Sequence, residues 1–404
     1  MSEQQDIVII GAGVTGVAIA RALTLKHPGL KVTVLEKENQ VATHASGRNS
    51  GVLHAGFNQK PGSLKAKLCV EGNRAIREFA AQHGVQVKPV GTLVVALSQD
   101  ELPVLDEILR RGQANGVPDL RVLDRAALLR LEPNARGLAA LNAPTGAIVD
   151  NNALVSALAT QAKERGVAFL FHQHVTAIEE GAGGYRVVSE NSEGRQIHHG
   201  RFVINAAGLY ADKIAHMLDA GRQYQIVPFR GEYYNIKPRK SSLVNSMIYP
   251  VPNLKYPFLG VHWTKKIDGG VAVGPNAVLA FGRESYHWSD IEPAESFSML
   301  RSIPFLRLAC RPEFLKLAWG QLRLSLFKGA FLEEASRLVQ GCEPEDLMAG
   351  TAGNRAQLIN DRGEMVDDIV IEKKGRSLHI LNAVSPGFTT SMAFAEHAVQ
   401  SLLE

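Results

Sequence analysis

The stretch DIVIIGAGVTGVAIARALTLKHPGLKVTVLEKE, residues 6–38, decides the fold of this chain. It opens with a short apolar run rich in β-branched residues, which is typical of a strand buried on both faces. A glycine turn, an apolar helix that ends at HPGL and a second strand, KVTVLEK, follow in that order. This order predicts a βαβ unit in a parallel sheet.

The glycines of the turn, Gly11, Gly13 and Gly16, have the spacing GxGxxG. In dinucleotide-binding units the first glycine permits the tight turn, the second lets a diphosphate approach the backbone, and the third lets the helix pack on the strand. The helix N-terminus then presents unpaired N–H groups to the phosphates. Glu36 lies 20 residues after Gly16, at the end of the second strand, where a carboxylate binds ribose hydroxyls. The predicted ligand is therefore an adenine dinucleotide.

The segments that follow favour FAD over a nicotinamide. The stretch EKENQVATHASGRNSGVLHAG (36–56) is a long polar loop, whereas a nicotinamide enzyme should continue with alternating strands and helices. Two distant segments could complete a flavin site. INAAGLYAD (204–212) takes a strand into a helix through small residues, and in NAVSPGFTTSM (382–392) a turn precedes a helix whose N-terminus can stabilise charge on a reduced flavin. We predict FAD, bound without a covalent link.

The composition excludes several classes of protein. The 404 residues, 45% of them apolar, can bury a large core and are expected to form two domains. A net charge of +4 without long basic runs argues against nucleic acid as a partner. The three cysteines are too widely spaced for a disulfide framework or a metal site. The same cysteine pattern suits a reducing cytoplasm. No apolar run approaches the roughly 20 residues of a membrane-spanning helix, so we expect a soluble or peripheral cytoplasmic protein that could associate with a membrane.

Four blocks of sequence carry a resemblance to a known family. They are NSGVLHAG with KPGSLKAKLCVEGN (within 49–74), PFRGEYYNIKP (228–238), IYPVPNLKYPFLGVHWTKKIDGGVAVGPNAVLAFGRESY (248–286) and AGNRAQ (352–357). Over nearly its whole length the chain resembles the L-2-hydroxyglutarate dehydrogenase/oxidase family, within the glycine oxidase and D-amino-acid oxidase superfamily of FAD enzymes. Three departures lie at predicted active-site positions: Arg48 replaces a histidine, Asn354 replaces a hydrophobic residue, and NAVSPGFTTSM replaces a segment closer to NAPSPAATSS.

The resemblance implies an α/β fold with two domains. A Rossmann-type FAD-binding domain would comprise residues 1–84, 145–225 and 345–404. An inserted α+β substrate domain, built on an antiparallel sheet, would comprise residues 85–144 and 226–344. The cofactor-binding residues predicted from the motifs and the resemblance are Gly11, Gly13, Val14, Thr15, Gly16, Glu36, Lys37, Ser46, Asn49, Ser50, Gly51, Val175, Ala207, Gly208, Pro386, Gly387, Thr389 and Thr390.

The implied activity is the oxidation of L-2-hydroxyglutarate, or a close 2-hydroxy acid, to the 2-oxo acid by hydride transfer from C2 to flavin N5. The hydroxyl proton must leave as well, and histidine is the natural base at neutral pH. His54, in the glycine-flanked loop, and His262, in a strand of the substrate domain, are the candidates. We expect the other eleven histidines to lie at the solvated surface.

A dicarboxylate substrate requires cations, and arginine binds carboxylates through two parallel hydrogen bonds. Arg355, Arg230 and Arg48 are the candidates, together with Lys65, although a surface position is the ordinary fate of such residues. For Lys65 and Lys67 we expect positions mostly on the surface of the next helix. Tyr249 and Asn276 could donate hydrogen bonds to the substrate or act as buried structural groups. The predicted catalytic set is thus His54, His262, Arg355, Tyr249, Arg230 and Arg48.

Two other functions remain open from the sequence. One is an amine or amino-acid oxidase of the same superfamily, and the other is a non-catalytic flavoprotein. The electron acceptor could be oxygen or a quinone. Residues 301–329 are basic and apolar and could lie on an anionic membrane, but Pro304 and Pro312 interrupt the pattern and favour packing within the substrate domain.

Overall fold

The computed structural model describes residues 4–252, 260–383 and 385–403. The strands are β1 (Gln5–Ile10), β2 (Val32–Leu35), β3 (Val52–Leu53), β4 (Val87–Lys88), β5 (Thr92–Ala96), β6 (Arg121–Asp124), β7 (Ala139–Ala143), β8 (Ala147–Val149), β9 (Ala168–Leu170), β10 (His174–Gly181), β11 (Gly184–Asn191), β12 (Gly194–Asn205), β13 (Tyr224–Ile236), β14 (Met247–Pro250), β15 (His262–Lys265), β16 (Val271–Gly274), β17 (Val278–Leu279), β18 (Leu347–Asn360), β19 (Val370–Lys374) and β20 (Ser377–Asn382). The α-helices are α1 (Val14–Lys26), α2 (Leu64–Gln82), α3 (Leu102–Ala114), α4 (Arg125–Leu131), α5 (Asn151–Glu164), α6 (Ala211–His216), α7 (Pro293–Arg301), α8 (Ile303–Ala309), α9 (Pro312–Leu326), α10 (Lys328–Ser336) and α11 (Gly387–Leu403). Residues 253–259 of the 248–286 block and residue 384 of the C-terminal turn lie outside the described residues.

An eight-stranded sheet contains the βαβ unit predicted at the N-terminus. Its main order is β10-β11-β12-β1-β2-β9, with β20 beside β12 and β19 beside β20. β1 runs parallel to β2 on one side and to β12 on the other, so the carboxyl ends of these three strands share one edge. Helix α1 packs against α5 and α11, and α11 packs against α2, around an apolar core that includes Ile9, Val17 and Phe394.

The glycine turn brings α1 very close to the end of β1. Gly11 has φ +103°, and a Cβ atom on Gly16 would lie 2.0 Å from the Gly11 carbonyl oxygen. A real Cβ cannot approach a backbone oxygen so closely, and a side chain at Gly16 would push the helix off the strand. The first and third glycines therefore act as the motif predicts.

A nine-stranded sheet forms the core of the second domain, in the order β17-β13-β16-β15-β14-β5-β7-β6, with β18 beside β13. Its pairs are antiparallel except for β5 and β14. The α/β fold with an inserted, largely antiparallel sheet is therefore confirmed. β18, which falls within the segment 345–404 predicted for the FAD domain, pairs with β13 in the nine-stranded sheet.

Residues 301–329 fold into the end of α7, all of α8 and α9, and the beginning of α10. Pro304 and Pro312 stand in the first turns of α8 and α9, where proline is tolerated, and they do not interrupt a helix. Within residues 4–252, 260–383 and 385–403, no helix is both long enough and apolar enough to cross a membrane.

His379, expected at the surface with the other histidines, is completely buried on β20. Its Nε2 lies 2.9 Å from the Ser377 hydroxyl, which itself donates to the Lys374 carbonyl, and its Nδ1 lies 3.3 Å from the amide of Asn205. These partners suit a neutral ring with its proton on Nε2. Burial accordingly lowers the pKa of His379 to about 4. The sequence around it, LHILN, gives no sign that a polar residue lies inside the strand.

The contact at Gly16 leads to a test with a matched control. We expect Gly16→Ala to lower the free energy of unfolding by on the order of 3 kcal/mol and to abolish dinucleotide binding, because the helix must move. Gly320→Ala, in an open position of α9, should leave stability unchanged or raise it by up to about 1 kcal/mol. Chemical denaturation measures both, and a stable Gly16→Ala protein with bound cofactor would contradict the packing argument.

Candidate active site

A cleft of about 330 Å³ separates the edge of the eight-stranded sheet from the nine-stranded sheet. On the first side it is lined by the glycine turn, by the loop before and after β3, by the turn after β12 and by the turn before α11. On the second side it is lined by β13, β14, β15, β18 and the turn after β16. Segments that are far apart in the sequence thus converge on one space.

The nucleotide side of the cleft fits an adenine dinucleotide. Gly13 precedes α1 and has no side chain that could cap the helix, so the first turn can receive phosphate. The Val14 N–H lies 2.9 Å from the hydroxyl of Ser46, which closes the loop over this turn. The Glu36 carboxylate accepts hydrogen bonds from the backbone N–H groups of Ala12, at 2.7 Å, and Glu38, at 2.9 Å. These bonds hold it beside the glycine turn with acceptor capacity left for ribose hydroxyls.

The structure brings most of the predicted cofactor residues to this space. Gly13, Val14, Thr15, Ser46, Asn49, Ser50, Gly208, Pro386, Gly387 and Thr389 line the cleft. The remaining predicted residues, Gly11, Gly16, Glu36, Lys37, Gly51, Val175, Ala207 and Thr390, lie outside this lining. Among them Val175 packs in the core of the sheet, and the Thr390 hydroxyl donates to the Gly387 carbonyl at 3.0 Å.

Both predicted histidines line the cleft. Burial lowers the pKa of each imidazole to about 4, and the nearby charge of Lys65 adds to the effect on His54. The pKa of His262 is lowered further by His54, so a proton on one ring disfavours a proton on the other. Both rings are therefore neutral at pH 7 and able to accept a proton.

The environment of His262 selects one tautomer. Its Nδ1 lies 2.9 Å from the Gly260 carbonyl oxygen, which can only accept, so the proton is on Nδ1. The ring stacks on Tyr249 with centroids 4.0 Å apart. Hydrogen bond and stacking together fix the orientation of the ring and leave the Nε2 lone pair as its basic site.

Two cations lie near the histidines. Arg355 lines the cleft from β18, and burial lowers its pKa to about 10. Lys65 was expected at the helix surface but is buried, with Nζ 2.8 Å from the Asp367 carbonyl oxygen and 3.1 Å from its carboxylate. Burial lowers the pKa of Lys65, and the charge of Asp367 opposes that change. Lys65 thus places positive charge behind the cleft without lining it, whereas Lys67 is exposed as expected.

Two tyrosines supply neutral hydroxyl groups to the cleft. Burial raises the pKa of Tyr249, and it raises the pKa of Tyr233 to about 12. The hydroxyl of Tyr233 interacts with Ser50. Ser50 belongs to the polar loop of residues 36–56, which we call the cofactor loop. Tyr233 is not among the residues predicted from the sequence, where only the arginine of PFRGEYY is a candidate. Alternation along the strand was the available signal, since Tyr233 is two residues from Gly231 and four from Phe229, and all three line the cleft.

Arg230, which is predicted to be catalytic, is not among the residues that line the cleft. It alternates with Phe229 along β13 and faces the other way, with 1% of its surface exposed. Its guanidinium binds the carboxylate of Glu232, donates to the His287 carbonyl at 3.0 Å and stacks on Trp288. Arg230 therefore supports the loop that contains residues 281–292.

Asn276 and Asn354, which line the cleft from the side of the second sheet, are also tied to the protein. The amide of Asn276 both accepts from the Glu232 N–H, at 2.9 Å, and donates to its carboxylate, at 2.7 Å. Asn354, one of the departures from the family pattern, donates to the Arg283 carbonyl at 2.9 Å. Asn276 therefore has at most one N–H left for a substrate, and Asn354 anchors the 281–292 loop.

Arg48, another of the three departures, lines the cleft at its nucleotide end. Its guanidinium carbon lies 3.9 Å above the ring of Tyr286, and its Nε donates to the Thr43 carbonyl at 3.3 Å. It is two residues from Ser46, which contacts the first turn of α1.

Comparisons with known proteins agree with this geometry. The family model for FAD-dependent oxidoreductases matches residues 6–401. The mitochondrial L-2-hydroxyglutarate dehydrogenase of Homo sapiens is 38% identical over 96% of this chain and 87% of its own length. The L-2-hydroxyglutarate dehydrogenase of Indibacter alkaliphilus is 37% identical over 96% of both chains.

Solved structures show the same fold over the full chain. L-α-glycerophosphate oxidase from Mycoplasma pneumoniae, with FAD bound, superposes with a TM-score of 0.79 at 25% identity and covers 100% of this chain and 95% of that one. Glycine oxidase from Geobacillus kaustophilus gives a TM-score of 0.72 at 17% identity, with the same coverage, and supports the fold alone. The protein uses FAD, as the cleft and the family indicate. The chain belongs to the L-2-hydroxyglutarate dehydrogenase family of FAD-dependent oxidoreductases.

Proposed function

We propose that this enzyme oxidises L-2-hydroxyglutarate, or a closely related 2-hydroxy dicarboxylate, to the 2-oxo acid. The observation that carries the proposal is the meeting of His54, His262 and Arg355 in one cleft beside the dinucleotide site. The names of the curated relatives support the substrate. When bound, FAD supplies the hydride acceptor for C2.

The residues of the chain would supply the base and the orientation. His262 is the better-oriented base, because its Nδ1–H is held by a carbonyl while Nε2 remains basic. His54 is the second candidate, and either ring can take the hydroxyl proton while neutral. Tyr233 and Tyr249 would donate hydrogen bonds to the substrate oxygens, since burial keeps both phenols protonated.

Arg355 would bind a carboxylate of the substrate. Its planar guanidinium can donate two parallel hydrogen bonds, and these are strengthened in a cleft that excludes water. The buried ammonium of Lys65 adds positive potential behind it, which favours an anionic substrate. An amine or amino-acid oxidase on this fold would have less need for cations that bind a second carboxylate, and a substrate panel distinguishes the two.

We also propose that the enzyme is cytoplasmic and contacts an anionic membrane through α7, α8 and α9. Leu315 and Trp319 are four residues apart on one face of α9 and are 55% and 70% exposed. Further exposed apolar residues of this surface are Ile291, Phe297, Leu300, Ile303, Leu306, Leu326 and Phe327. Exposed basic residues lie among them: Arg301, Arg307, Lys316, Arg323 and Lys328.

Large exposed apolar areas with a basic surround are typical of helices that lie in a membrane interface. The same helices also pack within the substrate domain, as the two prolines favoured, because Met299, Phe305, Leu308 and Phe314 form a buried cluster with residues of β13 and β18. A membrane position would suit a quinone as electron acceptor, with oxygen as the alternative.

Mixing the yellow protein anaerobically with 2-hydroxy acids and amino acids tests the substrate. L-2-hydroxyglutarate should bleach the flavin absorbance. Arg355→Lys should raise KM for this substrate on the order of 10- to 100-fold, because lysine keeps the charge but cannot donate two parallel hydrogen bonds to a carboxylate. Arg186→Lys, in a surface pair with Glu179, is the control and should leave KM unchanged. Bleaching by amino acids alone would refute the proposed substrate.

The pH profile tests the histidines. Because the pKa of both rings is lowered to about 4, kcat/KM should stay level from pH 8 to about pH 5 and fall only as the base becomes protonated below that. Replacing the base by glutamine should reduce the rate on the order of 10²- to 10⁴-fold and remove the acid limb. Glutamine in place of the other histidine should leave the acid limb of the pH profile unchanged. A wild-type acid limb near pH 6.5 would contradict the lowered pKa values.

Vesicle sedimentation tests the membrane surface. Vesicles of phosphatidylserine and phosphatidylcholine should bind the wild-type protein, and the double variant Leu315→Ser/Trp319→Ser should bind at least about 10-fold more weakly, since it buries less apolar area. Val122→Ser, at an exposed apolar residue outside this surface, should bind normally. Equal binding by all three proteins would exclude this surface as the contact.

A further inference from the structure

A cluster of polar residues connects the two domains at the nucleotide end of the cleft. Lys37 and Glu38 follow β2, and His44 lies in the cofactor loop. Glu284 and Tyr286 belong to the 281–292 loop of the second domain. We call these five residues the interdomain bridge.

Short contacts hold the bridge together. The Lys37 ammonium lies 2.6 Å from the Glu284 carboxylate, also binds Glu38 and lies 3.0 Å from His44 Nε2. His44 Nδ1 lies 2.6 Å from the Tyr286 hydroxyl. Burial opposes the charged form of Lys37, but its bonds to Glu284 and Glu38 prevail and raise its pKa. Since an ammonium group already binds these carboxylates, we assign no metal to Glu38, His44 and Glu284.

The bridge spans the end of β1. The Tyr210 hydroxyl, in the turn after β12, donates to the Glu284 carboxylate at 2.6 Å. β1 lies between β2 and β12 in the sheet, so the path Lys37–Glu284–Tyr210 crosses the edge at which the glycine turn leaves β1. Glu36, the predicted ribose ligand, immediately precedes Lys37. A dinucleotide on the glycine turn would therefore pass beneath the bridge.

The bridge is also firmly supported. Arg283, directly before Glu284, makes a buried ion pair with Asp212 at 2.6 Å and another with Glu295. Arg230 and Asn354 bind carbonyl groups of the same loop from β13 and β18, which are neighbouring strands of the second sheet. On the inner side, Arg48 stacks on Tyr286 and lines the cleft. The loop cannot leave the nucleotide end without breaking these bonds.

We propose that the interdomain bridge retains FAD, so that the non-covalently bound cofactor dissociates only when Lys37 and Glu284 separate. In this arrangement the 281–292 loop of the substrate domain holds the nucleotide half of FAD in place through the contact between Glu284 and Lys37. The ion pair is partly buried, with side-chain exposures of 24% and 31%, so solvent screens it less than an ordinary surface pair.

The rate of FAD dissociation tests the proposal. Acid precipitation must first release the flavin, which establishes that it is not covalently bound. Glu284→Gln and Lys37→Gln should each raise the dissociation rate at least about 10-fold, measured by the recovery of flavin fluorescence. The double variant should dissociate no faster than the worse single variant, because both remove the same pair. Glu179→Gln, which removes a surface ion pair of the same domain, is the control.

Tyr286→Phe provides a milder second variant that keeps the ring over Arg48 and loses only the hydroxyl contact to His44. It should raise the dissociation rate by a smaller factor and leave the unfolding temperature of the apoprotein unchanged. Dissociation rates equal to that of the wild type in all three bridge variants would overturn the proposal. The proposal would also be overturned if the increases in dissociation rate of the two single variants simply multiplied in the double variant, because Lys37 and Glu284 would then act independently.

Discussion

The contact between α1 and the end of β1 is the constraint on which the rest of the molecule depends. Because Gly16 lets the helix approach the Gly11 carbonyl, the N-terminus of α1 lies at the edge where β2, β1 and β12 all end. The loops that follow parallel strands lie at the same edge of the sheet. The cofactor loop and the turn after β12 therefore both reach this end of the helix. The helix dipole and the unpaired N–H groups make that edge suitable for a diphosphate.

Charge in the cleft follows a second constraint, which is burial. Arg48 and Arg355 line the cleft and Lys65 lies behind it, while the imidazoles of His54 and His262 remain neutral. Cations that are removed from water raise the local potential for anions, which would favour the acidic substrate proposed for this site. Burial lowers the pKa of both imidazoles, and the charge of Lys65 lowers that of His54 further.

The sequence predicted those parts of the site that depend on local structure. The glycine turn and Glu36 lie within a few dozen residues of sequence, and the small residues after β12 stand directly at the end of a strand. Composition does not tell which face of a strand a residue occupies, and on β13 Phe229 takes the cleft side while Arg230 faces the other way. Lys65 and His379 were placed at the surface because their partners, Asp367 and Asn205, are far away in the sequence. Only the tertiary fold brings such partners together.

The supports of the site connect the cofactor to the substrate domain. Asn354 anchors the 281–292 loop, and the next residue along β18, Arg355, faces the cleft. Arg230 anchors the same loop from the adjacent strand and is paired in register with Asn354. A displacement of these strands would therefore move both the proposed carboxylate ligand and the bridge over the nucleotide. Since linkage is reciprocal, a substrate that holds Arg355 in place should also hold FAD more tightly, and FAD should favour the arrangement that binds substrate.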